Sequence, residues 1–318
     1  MALAEIFTLI ISILVLSRAA TVVVDNASKL ARFFKVSTLA IGLLLVSVST
    51  SLPELSVSVM SSVAGEGAIA AGNVFGSNIA NVLLILGLGA ALYGFRVRRD
   101  ILPDIAIVLL ATTIISAYII YKSSVEGSAL SFYEGALLLL VFAWYAGRVL
   151  SKKKIEERAV ASNMSMRDGL HAFLFFGAGA GIVVISSSFV VDSAVGLAKI
   201  AGLAESFIGA TIIAIGTSLP ELSVDLAAIR KKQYGLALGD ALGSNMANLT
   251  LVLGTAAIIS PIVVQLKIFA VALLFAVVAN MIFLYIAVVK KEFGRREGVA
   301  MIALYAIYII AMFYLQFS

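Results

Sequence analysis

The sequence predicts an all-α, polytopic membrane protein of ten transmembrane helices, arranged as two inverted five-helix repeats with discontinuous helices at their crossing. Three observations predict it. Of 318 residues 62% are hydrophobic and 13% charged, a balance that the polar surface of a soluble domain cannot accommodate. Apolar stretches of about 20 residues, the length that crosses a bilayer, recur ten times. A block of sequence between 25 and 87 returns between 192 and 254. The residue inventory also removes whole classes of chemistry: there is no Cys, and His171 is the only histidine. Disulfides, thiolate metal sites, an HExxH zinc site and triads drawing on several histidines are excluded.

The spans fall at 4–24, 38–62, 67–93, 102–121, 130–150, 169–191, 206–229, 234–258, 265–289 and 297–316, and none alternates like a strand. The first is a span and not a signal peptide, because Glu5 precedes its apolar run and no Lys or Arg does. Arg18 and Asp25 lie toward its far end. Spans at 38–62 and 67–93 carry a polar motif, and 102–121 and 130–150 close the first half. Trp144 and Tyr145 fit an interfacial aromatic belt. The polar segment 151–168 reads as a linker too short to fold alone, between a first repeat at 1–150 and a second at 169–318. His171 is an interfacial side chain at the start of the sixth span.

Charge orients the spans. Lys29, Arg32 and Lys35 follow the first; Arg96, Arg98 and Arg99 the third; Arg148, Lys152, Lys153, Lys154, Arg158 and Arg167 lie between the fifth and sixth. Arg230, Lys231 and Lys232 follow the seventh, and Lys290, Lys291, Arg295 and Arg296 the ninth, so these connections hold most of the 23 basic residues. The positive-inside rule makes them cytoplasmic and both termini extracellular. The basic clusters are topology signals, with no nucleic acid partner implied.

A constant offset of 167 residues aligns Asp25 with Asp192, Gly42 with Gly209, and the eight residues Thr50 to Val57 with Thr217 to Val224, without a gap. The same offset carries Gly72 onto Gly239, Gly76-Ser77-Asn78 onto Gly243-Ser244-Asn245, Ala80-Asn81 onto Ala247-Asn248 and Gly87 onto Gly254. With an odd number of spans per half, the second copy enters the membrane from the opposite side. The charges agree, since the turn after the second span holds Glu66 while its counterpart is Arg230-Lys231-Lys232. Inverted repeats with matched interruptions mark secondary transporters, whose site lies where the interruptions meet. Here they are Pro53 and Pro220, which remove an N–H and leave the carbonyls near Ser49-Thr50 and Gly216-Thr217 without partners.

Glu54 and Glu221 sit beside those prolines, and an ionised carboxylate at this depth is costly without a bound ion, proton or partner. Helical spacing puts Ser47, Ser51 and Glu54 on one face, with Asn73, Ser77 and Asn81 on the next span. The second half repeats this with Thr217, Ser218 and Glu221, then Asp240, Ser244 and Asn248. An all-oxygen set suits hard cations, Ca²⁺ above Mg²⁺ where the cage replaces water. Two carboxylates balance one Ca²⁺ or are shared by several Na⁺. The serines could instead serve close helix packing, as Gly72, Gly76, Gly239 and Gly243 are expected to do. Asp225 is expected to pair with Arg230 at the cytoplasmic mouth in preference to serving as a ligand. Asp240 is either a third acid of the site or a helix-start residue near the inner surface.

At these residues the chain resembles the cation/calcium exchanger superfamily, in its prokaryotic sodium/calcium branch. Both signature repeats are present, Ser49-Thr50-Ser51-Leu52-Pro53-Glu54 with Gly72-Asn73-Val74-Phe75-Gly76-Ser77-Asn78, and Gly216-Thr217-Ser218-Leu219-Pro220-Glu221 with Gly239-Asp240-Ala241-Leu242-Gly243-Ser244-Asn245. The resemblance implies a diamond of cation positions bridged by Glu54 and Glu221. It adds as ligands Thr50, Ser51, Ser77, Asn81, Thr217, Ser218, Ser244 and Asn248, with the backbone carbonyls of Ser47 and Ala214. It also implies long first and sixth spans that slide across this core. Asn248, where potassium-dependent members carry Asp, implies no K⁺ requirement. Asp240 departs from the family's usual Asn, and Ser49 from its usual Gly.

The reading is an antiporter in the cell membrane that exchanges Na⁺ for Ca²⁺ by alternating access, with no cofactor and no protein partner beyond the lipid bilayer. Proton/calcium exchange through the same glutamates is the nearest alternative. A cation channel is disfavoured by the inverted repeat, and an enzyme by the lack of a paired nucleophile and base.

Overall fold

In a computed structural model of the chain, residues 2–126, 130–151, 164–200, 216–262 and 266–316 are described. The fold is almost wholly helical: α1 (Ala2–Phe34), α2 (Thr38–Thr50), α3 (Leu52–Val63), α4 (Gly67–Leu92), α5 (Leu102–Glu126), α6 (Phe132–Ser151), α7 (Met166–Ile200), α8 (Leu219–Arg230), α9 (Tyr234–Ile259), α10 (Leu266–Tyr285) and α11 (Arg295–Gln316). Eight helices among the described residues are long and apolar enough to cross a membrane, and α2 with α3 forms a ninth span bent by 47°. Of the expected span 206–229, residues 206–215 lie outside the described residues, as does most of the linker.

The bend follows from local chemistry. Ser51 leaves the helical region with φ −79° and ψ 11°, and Pro53 takes the first turn of α3, where its missing N–H costs nothing. Ser218 (φ −90°, ψ 10°) and Pro220 repeat this at the start of α8. The first span ends ten residues later than expected, because Lys29 and Arg32 continue α1, where the Arg32 cation in the last turn meets the helix's negative end. Lys35 then closes it with φ 55° while the Val36 N–H donates back to the Ala31 carbonyl at 3.0 Å.

The repeat seen in sequence holds in the helix boundaries. The offset of 167 carries Leu52–Val63 onto Leu219–Arg230 and Gly67–Leu92 onto Tyr234–Ile259. It also carries a wide π-helical turn at Asn81–Ile85 onto one at Asn248–Val252. Helices α4 and α9 form the centre, 78% buried against 22–39% for the other continuous spans. Their approach depends on absent side chains: a Cβ on Gly239 would stand 2.5 Å from the Leu39 carbonyl oxygen and 2.9 Å from the Gly42 Cα, and one on Gly243 would stand 2.6 Å from the Leu43 carbonyl oxygen. For Gly72 and Gly76 the equivalent partners, 206–210, lie outside the described residues.

The two halves interleave. Helix α11 packs on the end of α4 and α6 on the end of α9, through the glycine crossings Gly87 with Gly298 and Gly254 with Gly135. A short antiparallel pair, β1 (Phe95–Arg96) and β2 (Glu292–Phe293), ties α4 to α11. Its counterpart across the repeat is the single bridge between Leu130 and Ile262. Long α1 and α7 pack on each other along the side of this core. Trp144 is exposed, with the Arg148 guanidinium 5.7 Å from its ring centroid. Tyr145 corrects the expected aromatic belt, since it is buried and its hydroxyl donates to the Leu43 carbonyl at 3.5 Å.

Candidate cation site at the crossing of the repeats

The helix starts at Ser51 and Ser218 bring the two glutamates face to face with each other's helix. Ser51 donates to Glu221 Oε1 at 3.2 Å, and its repeat mate Ser218 donates to Glu54 Oε1 at 3.4 Å. Ser77 of α4 reaches the same Glu54 oxygen at 3.4 Å, and Thr217 also bonds the Glu54 carboxylate. The Ser47 carbonyl oxygen lies 3.3 and 3.5 Å from the Thr50 and Ser244 hydroxyl oxygens. Of the sequence-predicted ligands, Ser47, Thr50, Ser51, Glu54, Ser77, Asn81, Ser218, Glu221, Ser244 and Asn248 are all buried, Thr217 is partly so, and Ala214 lies outside the described residues.

Four asparagines hold the centre. Asn78 Nδ2 donates to the Asn245 carbonyl and Asn245 Nδ2 to the Asn78 carbonyl, each at 3.1 Å, a reciprocal pair on the pseudo-twofold axis. Their side-chain oxygens then accept from Asn81 Nδ2 at 3.0 Å and Asn248 Nδ2 at 3.2 Å. With its N–H₂ group spent in this way, each outer amide has its oxygen left over. Among the described residues, nothing donates to the buried Asn81 Oδ1, Asn248 Oδ1, Glu54 Oε2 and Glu221 Oε2. These orphans are two pairs of repeat mates. Buried acceptors without donors are costly, and a hard cation or, at the carboxylates, a proton satisfies them. Among the described residues no three carboxyl or imidazole groups converge on one point, so neutral oxygens would make up most of any shell. No Lys or Arg is buried among the described residues either, so none of these supplies Glu54 or Glu221 with a basic partner.

Sequence reasoning missed Asn78 and Asn245 as functional positions, although their identity at the 167-residue offset was the available signal. Asn73, placed on the oxygen-lined stripe, uses its amide on the Glu54 carbonyl at 3.1 Å and the Ser58 hydroxyl at 3.0 Å. Asp225 does not pair with Arg230: it is fully buried while Arg230 is exposed. Asp240 is no helix-start residue at the surface. It is fully buried within α9 and accepts from the Thr50 hydroxyl at 3.0 Å.

An inverted-repeat membrane fold with paired carboxylates and orphaned oxygens at its crossing defines a membrane antiporter for cations. The sequence profile described as "Sodium/calcium exchanger protein" matches residues 4–150 and 171–314, and the chain belongs to that family. It is 34% identical over 262 residues to the inner membrane protein YrbG of Escherichia coli (strain K12), spanning 80% of this chain and 79% of that one. It is 27% identical to the sodium/calcium exchanger MaX1 of Methanosarcina acetivorans over 96% of this chain and 98% of the relative. The solved structure of the sodium-calcium exchanger NCX_Mj soaked with 10 mM Na⁺ and zero Ca²⁺ superposes with a TM-score of 0.85 at 27% identity, covering 98% of this chain and 100% of that one.

Proposed function

We propose that the chain couples Na⁺ movement in one direction to Ca²⁺ movement in the other, both ions competing for the site built on Glu54 and Glu221. The observation that carries this reading is the symmetric set of donorless oxygens, Glu54 Oε2, Glu221 Oε2, Asn81 Oδ1 and Asn248 Oδ1. The hydroxyls of Ser51, Ser77 and Ser218 beside them donate to the carboxylates at 3.2–3.4 Å. Each can turn its hydrogen away and offer a lone pair to an arriving cation. Ser47 and Ala214 are assigned carbonyl ligands, completing a shell drawn from both repeats.

Competition supplies the coupling. One Ca²⁺ or a set of Na⁺ neutralises the two carboxylates, and a neutralised site can reorient across the low-dielectric interior. A half-loaded site keeps an uncompensated carboxylate and stays in place. The paired helices α1 and α7, outside the core, are the elements assigned to expose it alternately to the two sides. The basic connections face the cytoplasm and both termini the exterior. Repeats 1–150 and 169–318 joined at 151–168 form one transport unit, which carries ions and makes no covalent bond.

Ca²⁺ uptake into Na⁺-loaded proteoliposomes, beside matched vesicles given only a proton gradient and each with and without K⁺, tests this. Uptake is expected with Na⁺ alone and without K⁺, the latter from the amide of Asn248. Glu54→Gln and Glu221→Gln are each expected to abolish it in a folded protein. Uptake driven only by protons moves the coupling ion to H⁺ and overturns the Na⁺ assignment.

A further inference from the structure

The halves of the core differ at one buried contact. In the first, Asn73 donates to the Ser58 hydroxyl at 3.0 Å. The offset of 167 carries Ser58 onto Asp225 and Asn73 onto Asp240, and these two side chains meet in the second half as their mates do in the first. A neutral donor and acceptor have thus become two facing carboxyl groups, both fully buried. Asp240 Oδ1 accepts from Thr50 at 3.0 Å and from Ser244 at 3.5 Å. Among the described residues, no other side chain or backbone N–H donates to Asp240 Oδ2 or to either oxygen of Asp225. No basic side chain among the described residues is buried to balance them. Two such carboxyls at membrane depth call for a positive species between them, a shared proton or a bound metal ion.

We propose that Asp225 and Asp240 form a further cation position, taking a hard metal cation of the kind the glutamates take. The oxygen-only chemistry selects for such an ion, and Thr50 and Ser244 connect the new position to the central site, since both hydroxyls serve the two. The chain then holds cations along a path running from the asparagine centre to one turn beyond Glu221 on α8. This rests on reading the glutamates as a cation site.

Equilibrium dialysis of the purified full-length chain against labelled Ca²⁺, and separately labelled Na⁺, at saturation is the test. Asp225→Ser combined with Asp240→Asn installs the pair that the first half already packs in the same place, and Asp240→Asn alone serves where the double change impairs folding. Either variant is expected to bind one cation fewer per chain, for at least one of the two ions. Glu54→Gln with Glu221→Gln is expected to retain that one bound ion, and adding the aspartate changes to remove it. Equal binding by wild type and the aspartate variants for both ions, the result if a proton alone bridges the pair, overturns the proposal. Unchanged binding in the glutamate variant would instead overturn the central site and leave the aspartate count to stand or fall separately.

Discussion

At the scale of single residues, the orientation of the outer amides decides whether Asn81 and Asn248 present an oxygen or a nitrogen to an ion. The inner pair settles it. Asn245 Oδ1 takes the Asn81 N–H₂ group at 3.0 Å and Asn78 Oδ1 takes that of Asn248 at 3.2 Å, which turns the oxygen of each outer amide away from the inner pair. Removing the inner acceptor frees the outer amide to rotate and places a donor where a cation is to sit. Asn78→Ala and Asn245→Ala are therefore expected to lower Ca²⁺ affinity by roughly 10–100-fold, the usual cost of losing a group that orients a ligand. The Ca²⁺ concentration giving half-maximal uptake measures it. An unchanged value would mean that the outer amides are held by something else. The glutamates were legible in sequence because a carboxylate inside an apolar span is anomalous by itself. Asn78 and Asn245 were not, because their role exists only when two residues 167 positions apart cross at the axis.

At the scale of elements, the central helices touch through backbone. A methyl group at Gly239 would meet the Leu39 carbonyl oxygen at 2.5 Å, a rigid main-chain atom that cannot move aside as a side chain could. Gly239→Ala is expected to destabilise the protein by about 1–3 kcal/mol, the range for overpacking. Gly147→Ala on α6, where a Cβ meets nothing within 4 Å, is expected to stay within about 0.5 kcal/mol of wild type. Thermal unfolding in detergent compares the two; equal stabilities would deny that the α2–α9 approach limits packing. Element positions were readable from apolar length and from the prolines, since both act locally. Helix ends were less so. The run of Lys29 and Arg32 looks like a connection by composition, yet no breaker precedes Lys35 and the Arg32 cation favours the helix end it occupies. Asp225, one turn from Glu221 and five residues from Arg230, looked paired by spacing, and the burial that prevents the pairing comes from tertiary packing.

At the scale of the whole molecule, the interleaved core and the flanking pair α1 and α7 are distinct in how they are held. The core is locked by glycine crossings and by strands that join the halves. Among the described residues α1 packs against α8, where Asp25 of α1 and Lys231 beyond the end of α8 form an ion pair at 2.5 Å with both groups partly in solvent. A partly exposed pair of this kind contributes about 1 kcal/mol or less, so it can break in each cycle if α1 slides against the core. Neutralising it by Asp25→Asn is then expected to leave transport within a few-fold of wild type, whereas fixing it covalently is expected to stop transport. The chain has no Cys, so Asp25→Cys with Lys231→Cys gives two unique thiols for a bismaleimide long enough to span an ion pair. The cross-linked protein is expected to bind Ca²⁺ yet show no Na⁺-driven uptake, while the same variant treated with a monofunctional maleimide continues to transport. Undiminished uptake after complete cross-linking would show that α1 moves together with the core at this point, and would shift the alternating step to other helices.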